Sequence, residues 1–243
     1  MSSATHVDAA IRRFVMRVAE LDRASGTRGA RTAASLLAAE LELRGAAVRL
    51  EEERVHGTYW VPIGLACGFA TAAAACAARR RPVATAGGAL AAACVIDELE
   101  IGRRPLRRLL RRRTAVNLIA ELAPRQAPTH TIVVHAHHDA AHTGLVFHPA
   151  IAKLTARVAG RTIERLGGTP APMWGAALGP PLVALGAALR LGRLSRLGGA
   201  LSAGYGAAML DIARRPAVPG ANDNLSGVAV LLILAEALAR CPS

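Results

Sequence analysis

Aromatic side chains are scarce in this chain, with Phe, Tyr and Trp making up only 3% of it. That scarcity removes the stacking platforms on which single-strand nucleic-acid binders rely. Nucleic acid is therefore not the expected partner, although 30 basic residues against 17 acidic ones leave a formal charge of +13. Lysine is also nearly missing. Lys153 is the only one, so the positive charge is arginine, clustered beside apolar stretches where a membrane protein carries it. Four cysteines (Cys67, Cys76, Cys94, Cys241) without a CxxC spacing exclude a disulfide scaffold. Three of them lie in apolar, Ala-rich runs, where small buried thiols are ordinary. Met1 to Asp8 is polar and has no leader-like apolar region, which predicts no cleaved signal peptide.

What is present is apolarity from small residues. Hydrophobic residues make up 52% of the 243 and the mean hydropathy is +0.30, with Ala and Gly supplying much of it. Each helix built from them buries less area than a Leu-rich one.

Along the chain, five segments emerge. Residues 1–60 read as two helices and a first strand. Ile11 to Leu21 carries Ile11, Phe14, Val15 and Val18 on one face, and Ala30 to Leu43 stops at Gly45. Val48 to Val55 partly alternates as a strand. Residues 61–113 hold two uncharged runs, Val61 to Ala78 and Pro82 to Ile96, separated by Arg79-Arg80-Arg81 and followed by an Arg-rich stretch from Arg103 to Arg113. Two readings fit the runs, a tight membrane hairpin or a pair of buried Ala-rich helices in a soluble protein. The Arg-rich stretch suits an amphipathic helix on an anionic membrane surface or a solvated face. Arg79 to Arg81 and Arg103 to Arg113 pull towards opposite orientations, so the side of the membrane stays open.

Residues 114–149 look globular, with strand candidates at Ala115 to Ala120 and Thr131 to Ala136 and a turn at Pro124 to Pro128. Residues 150–218 read as a helical insertion, with a helical pattern over Ala150 to Leu166. An uncharged stretch from Ala171 to Leu189 follows, broken by Gly179-Pro180-Pro181, and then a weaker one from Leu197 to Leu210. Residues 219–243 combine a Pro/Gly turn with a final helix starting near Leu225 or Ser226.

Two short stretches carry chemistry. In His135-Ala136-His137-His138-Asp139, His137 and Asp139 stand two apart after a β-branched run, so on an extended backbone they face one pocket. An imidazole can then bind a metal while a carboxylate orients its ring. A solvated His/Asp loop has the same spacing. His135, His138, His142 and His148 have no ligand spacing of their own and read as neighbours. In Pro219-Gly220-Ala221-Asn222-Asp223-Asn224-Leu225-Ser226-Gly227, Asp223 follows a rigid turn, from which its two oxygens can bridge two cations. Alternatively Asp223, Asn224 or Ser226 caps the helix that follows.

Together the stretches resemble the M28 family of zinc peptidases, co-catalytic aminopeptidases and related exopeptidases. Pro219 to Gly227 is similar to that family's Pro-Gly-Ala-x-Asp-Asn-x-Ser-Gly motif at every fixed position, and His135 to Asp139 resembles its Gly-Ala-His-Tyr-Asp strand end. Ala115 to Ala120 looks like its "Asn-Val-Ile-Ala" strand. The resemblance implies that His137 binds one of two zinc ions and that Asp223 bridges both, with Asp139 acting behind the His137 ring as the catalytic carboxylate. It further implies a cis peptide after Asp223, and a peptide substrate with a free N-terminus. The family's later elements, a Glu-Glu pair with the general base, a further Asp and a final His, do not occur among these residues. The expectation is therefore the N-terminal portion of a peptidase that hydrolyses nothing by itself, membrane-associated and integral. The alternatives are a cytoplasmic protein, or a catalytically inactive membrane scaffold that keeps the fold. The implied fold is a three-layer α/β sandwich around an incomplete mixed or mostly parallel sheet, with Thr131 to Ala136 central and Ala-rich helices inserted.

Overall fold

The computed structural model describes residues 3–123, 129–165 and 172–240; the turn expected over Pro124 to Pro128, and Cys241, lie outside them. The elements in chain order are α1 (Ser3–Ala19), α2 (Arg28–Glu42), β1 (Ala47–Val55), α3 (Trp60–Cys76), α4 (Arg81–Ile96), α5 (Pro105–Arg108), β2 (Arg113–Glu121), α6 (Pro149–Arg165), α7 (Gly179–Ala188), α8 (Gly192–Arg214) and α9 (Ser226–Arg240). Chain contacts divide them into two compact units, each assembled from separated segments.

The first unit comprises Met1–Gly57, Arg112–His142 and Pro216–Ser243. Thr27 starts α2 from an extended backbone, its hydroxyl accepting the Ala30 N–H at 3.2 Å, which satisfies one of the free donors of the first turn. Gly45, at φ +83°, lets the chain reverse after α2 into β1. β1 and β2 pair antiparallel from Ala47↔Glu121 to Val55↔Arg113. Apolar side chains at helical spacing on α9 (Val228, Leu232, Ala235), together with Leu225, meet Ile11 and Val18 of α1 and Leu37 and Leu41 of α2 in one core.

This arrangement overturns the expected three-layer sandwich. Most of the described residues are helical, and two antiparallel strands form the one small sheet among them. The expected central strand, Thr131 to Ala136, has no regular structure. Ile132, Val133 and Val134 are 86%, 81% and 52% exposed. The physical reason is coverage. A β-branched run settles as a central strand when neighbours pair both its edges and helices bury both its faces. Here the one sheet among the described residues holds only β1 and β2, and the run joins neither, so it has neither paired edges nor covered faces.

The second unit comprises Thr58–Arg111 and Thr143–Arg215. Its centre is a ring of helices in which α3 packs on α4 and α8, and α7 packs on α4 and α8. Small residues bring the backbones together. A Cβ at Gly88 would lie 2.6 Å from the Ala184 nitrogen, and one at Gly198 would lie 2.6 Å from the Val183 nitrogen. Without bulky side chains at these crossings, dispersion contacts form along the whole interface. The broken stretch expected around Gly179-Pro180-Pro181 is a 3₁₀ turn at Pro172–Ala177 followed by α7. A second core joins Trp60, Ile63, Cys67, Val95, Val146, Met209 and Ile212. The helices' outer faces carry exposed Leu65, Phe69, Val83, Leu90, Leu185 and Leu197.

Among the described residues, two helical stretches are long and apolar enough to cross a membrane, Arg81–Ile101 and Ala221–Arg240; α3, with 17 residues, is shorter. The second of these includes α9, whose Val228, Leu232 and Ala235 pack in the first unit's core while Val230, Ile233 and Leu238 stay exposed.

Candidate functional site

Arg23, in the turn between α1 and α2, is fully buried and organises the site. Its Nη1 donates to the His138 carbonyl at 2.6 Å, and its Nη2 donates to the Pro219 carbonyl. Its own carbonyl accepts the Ala140 N–H at 2.9 Å. One guanidinium fork thus ties together two loops that are far apart in sequence, a task for which Arg is suited by its rigid planar donors. Burial pulls the guanidinium's pKa down, and the nearby Asp139 carboxylate pulls it back up. Gly220 adopts φ +56° beside it, where a Cβ would stand 2.9 Å from Arg23 Nη2. An antiparallel bridge, His142↔Ala217, with the Val218 N–H donating to the Ala141 carbonyl at 2.8 Å, continues the alignment of the two loops.

That alignment brings together the three residues singled out by sequence. His137 Nε2 lies 3.1 Å from Asp223 Oδ1, and His137 Nδ1 lies 3.1 Å from Asp139 Oδ1. A neutral imidazole has one N–H. If it is given to Asp139, the Nε2 lone pair faces a carboxylate oxygen of Asp223, an arrangement that calls for a proton or a cation between them. The site opens to solvent, with the Asp223 side chain 81% and the His137 side chain 52% exposed. The Asp223–Asn224 peptide is cis, as the resemblance implied. Ser226 Oγ donates to the Asn222 carbonyl at 2.6 Å.

The other histidines are not part of this arrangement. The His138 carbonyl serves Arg23, and burial is the main cause lowering its ring pKa. His148 Nδ1 accepts the Ala150 N–H at 3.2 Å at the start of α6, and His135 is exposed. Sequence reasoning missed Arg23, since one arginine in a helix-connecting turn of an Arg-rich chain has no spacing to set it apart.

The 3.1 Å between His137 Nε2 and Asp223 Oδ1 suits two donors on one zinc ion, which at bonds of about 2.1 Å would subtend roughly 95°. The number of donors falls short. Among the described residues no three His, Cys, Asp or Glu side chains gather into a group that could hold a metal. Zinc centres use three or more protein ligands, so these residues alone fit part of a centre and not a whole one. No family model, curated protein or solved structure matches the chain.

Proposed function

We propose that the chain contributes the first part of the active centre of a membrane-associated metal-dependent exopeptidase, a two-zinc enzyme that releases residues from a free peptide N-terminus. The observation that carries this reading is the meeting of His137 and Asp223, 86 residues apart, at ligand spacing, with Asp139 on the far nitrogen of the same ring. In that role His137 and Asp223 are metal donors. Asp139 fixes the His137 tautomer and raises its basicity, as carboxylates behind metal-bound imidazoles do. Arg23 holds both loops in register. A zinc ion at such a centre supplies an acidified water as nucleophile. Such a centre needs a further protein donor and a general base beside these three residues. The membrane association is supported by the apolar outer faces of α3, α4, α7 and α8.

The test is zinc stoichiometry of the purified full chain beside His137→Ala and Asp223→Ala. Weak zinc uptake that both substitutions abolish is the expected result. Uptake that neither substitution changes would remove the centre from this site. No uptake at all would favour the second reading, a membrane scaffold that keeps the peptidase-like loops without their chemistry.

A further inference from the structure

The helix directions in the second unit gather charge that the sequence spreads over more than a hundred residues. In α3 and α8, Gly64 faces Met209 and Ala74 faces Gly199, so the two helices run antiparallel. In α7 and α8, Gly179 faces Ser202 and Gly186 faces Ser195, so these are antiparallel as well. α4 returns along α3 after a tight turn, with Gly87 against Ala73 and Phe69. The α3–α4 turn and the α7–α8 turn therefore lie at the same end of the bundle. Arg79, Arg80 and Arg81 come from the first turn, and Arg190, Arg193 and Arg196 from the second. All six are exposed.

Among the described residues of α3, α4, α7 and α8, no carboxylate shares that end. Residues 58–96 and 179–210 contain neither Asp nor Glu. The opposite end differs, because there Arg107 pairs with Glu98, and Arg215 pairs with Asp211 at 2.8 Å. Exposed Val83, Leu189, Leu191 and Leu197 adjoin the six arginines. A cationic crown on apolar walls matches the boundary between lipid headgroups and acyl chains. A nucleic-acid backbone would meet the same charges, but it would also meet the apolar side chains and no stacking ring, a poor match.

We propose that this end of the bundle seats the phosphate groups of anionic phospholipids, held by the guanidiniums of Arg79, Arg80, Arg81, Arg190, Arg193 and Arg196. Guanidinium forks take phosphate oxygens two at a time, which favours arginine over lysine here. A zwitterionic headgroup offers the same phosphate together with its own ammonium and is the weaker ligand. The inference rests on the membrane reading above and assigns a lipid class to it.

The experiment uses the full chain in neutral detergent micelles, titrated with fluorescent phosphatidylglycerol and, separately, phosphatidylcholine. Phosphatidylglycerol should bind at least about tenfold more tightly. Arg79→Gln/Arg80→Gln/Arg81→Gln and Arg190→Gln/Arg193→Gln/Arg196→Gln should each weaken it on the order of ten- to a hundredfold, given the attraction of each basic residue to an anionic surface. Combining them should abolish the preference. Arg12→Gln/Arg13→Gln/Arg17→Gln, exposed on α1 of the other unit, should leave it intact. All substituted side chains are exposed, and helicity by circular dichroism checks that each variant folds; either triple variant suffices if the other does not. Equal affinity for the two lipids, or a preference that survives in the combined variant, overturns the proposal. So does displacement of the lipid by an RNA oligonucleotide or inorganic phosphate at lower concentration than by unlabelled phosphatidylglycerol. A chain that stays dispersed and monomeric without detergent instead fails the membrane reading itself.

Discussion

Arg23 Nη1 meets the carbonyl oxygen of His138 at 2.6 Å, and the same guanidinium reaches Pro219, so one buried side chain supports both loops that carry His137 and Asp223. Arg23→Ala leaves two carbonyls without their donor. It should cost about 3–5 kcal/mol of stability, read as a lower urea midpoint. Arg23→Lys keeps the charge and loses the fork, and should recover part of the stability while zinc uptake stays impaired. Equal loss in both variants would show that charge contributes nothing there.

Asp139→Asn keeps the size of the side chain and removes the charge behind the His137 ring. Zinc affinity should fall about 10- to 100-fold, the usual effect of losing the partner of a metal-bound imidazole. The measurement is a competition titration against a chelating dye, with unchanged circular dichroism as the control for folding. Unchanged affinity would separate Asp139 from the site despite its 3.1 Å contact with His137.

The bundle should tolerate methyl groups at some glycines and not at others. Gly198→Ala drives a Cβ to 2.6 Å from the Val183 nitrogen and 2.7 Å from the Gly179 carbonyl, with backbone that has no room to yield. It should destabilise by about 1–3 kcal/mol. Gly68→Ala on α3 meets nothing within 4 Å and should be neutral or stabilising by up to about 1 kcal/mol. Thermal melting in detergent distinguishes the two, and the opposite ranking would contradict the helix pairing.

On α9, Leu232 is fully buried in the core with α1 and α2, whereas Leu238 is half exposed. Leu232→Ala should cost about 2–5 kcal/mol. Leu238→Ala should stay within about 0.5 kcal/mol. Urea unfolding in neutral detergent reads both, and equal costs would remove α9 from the first unit's core.

Legibility followed the range of each interaction. α2, with its stop at Gly45, and the strands β1 and β2 were readable because their signals are local periodicity and turn chemistry. The α3–α4 hairpin was readable from two uncharged runs around Arg79 to Arg81. That α7 and α8 complete the same ring was not, since glycine contacts such as Gly198 with Val183 have no signature in either segment alone. The sheet was misjudged because Thr131 to Ala136 has strand composition, and composition does not say whether neighbours exist to pair with it. In the site, spacing of two brought His137 and Asp139 together on paper, and only motif resemblance linked them to Asp223. Arg23 could be found only from the fold.

The interleaving of the two units has a consequence in time. Arg23 and Pro219 are 196 residues apart, and both helical hairpins of the second unit are synthesised between them. At about 5–20 residues per second, the ribosome needs roughly 10–40 s to deliver the second loop after the first anchor has emerged. During that interval α1, α2 and the β1–β2 pair wait without α9 to complete their core. The site therefore forms only on chains whose four bundle helices have already left the ribosome, and the α9 part of the core follows it.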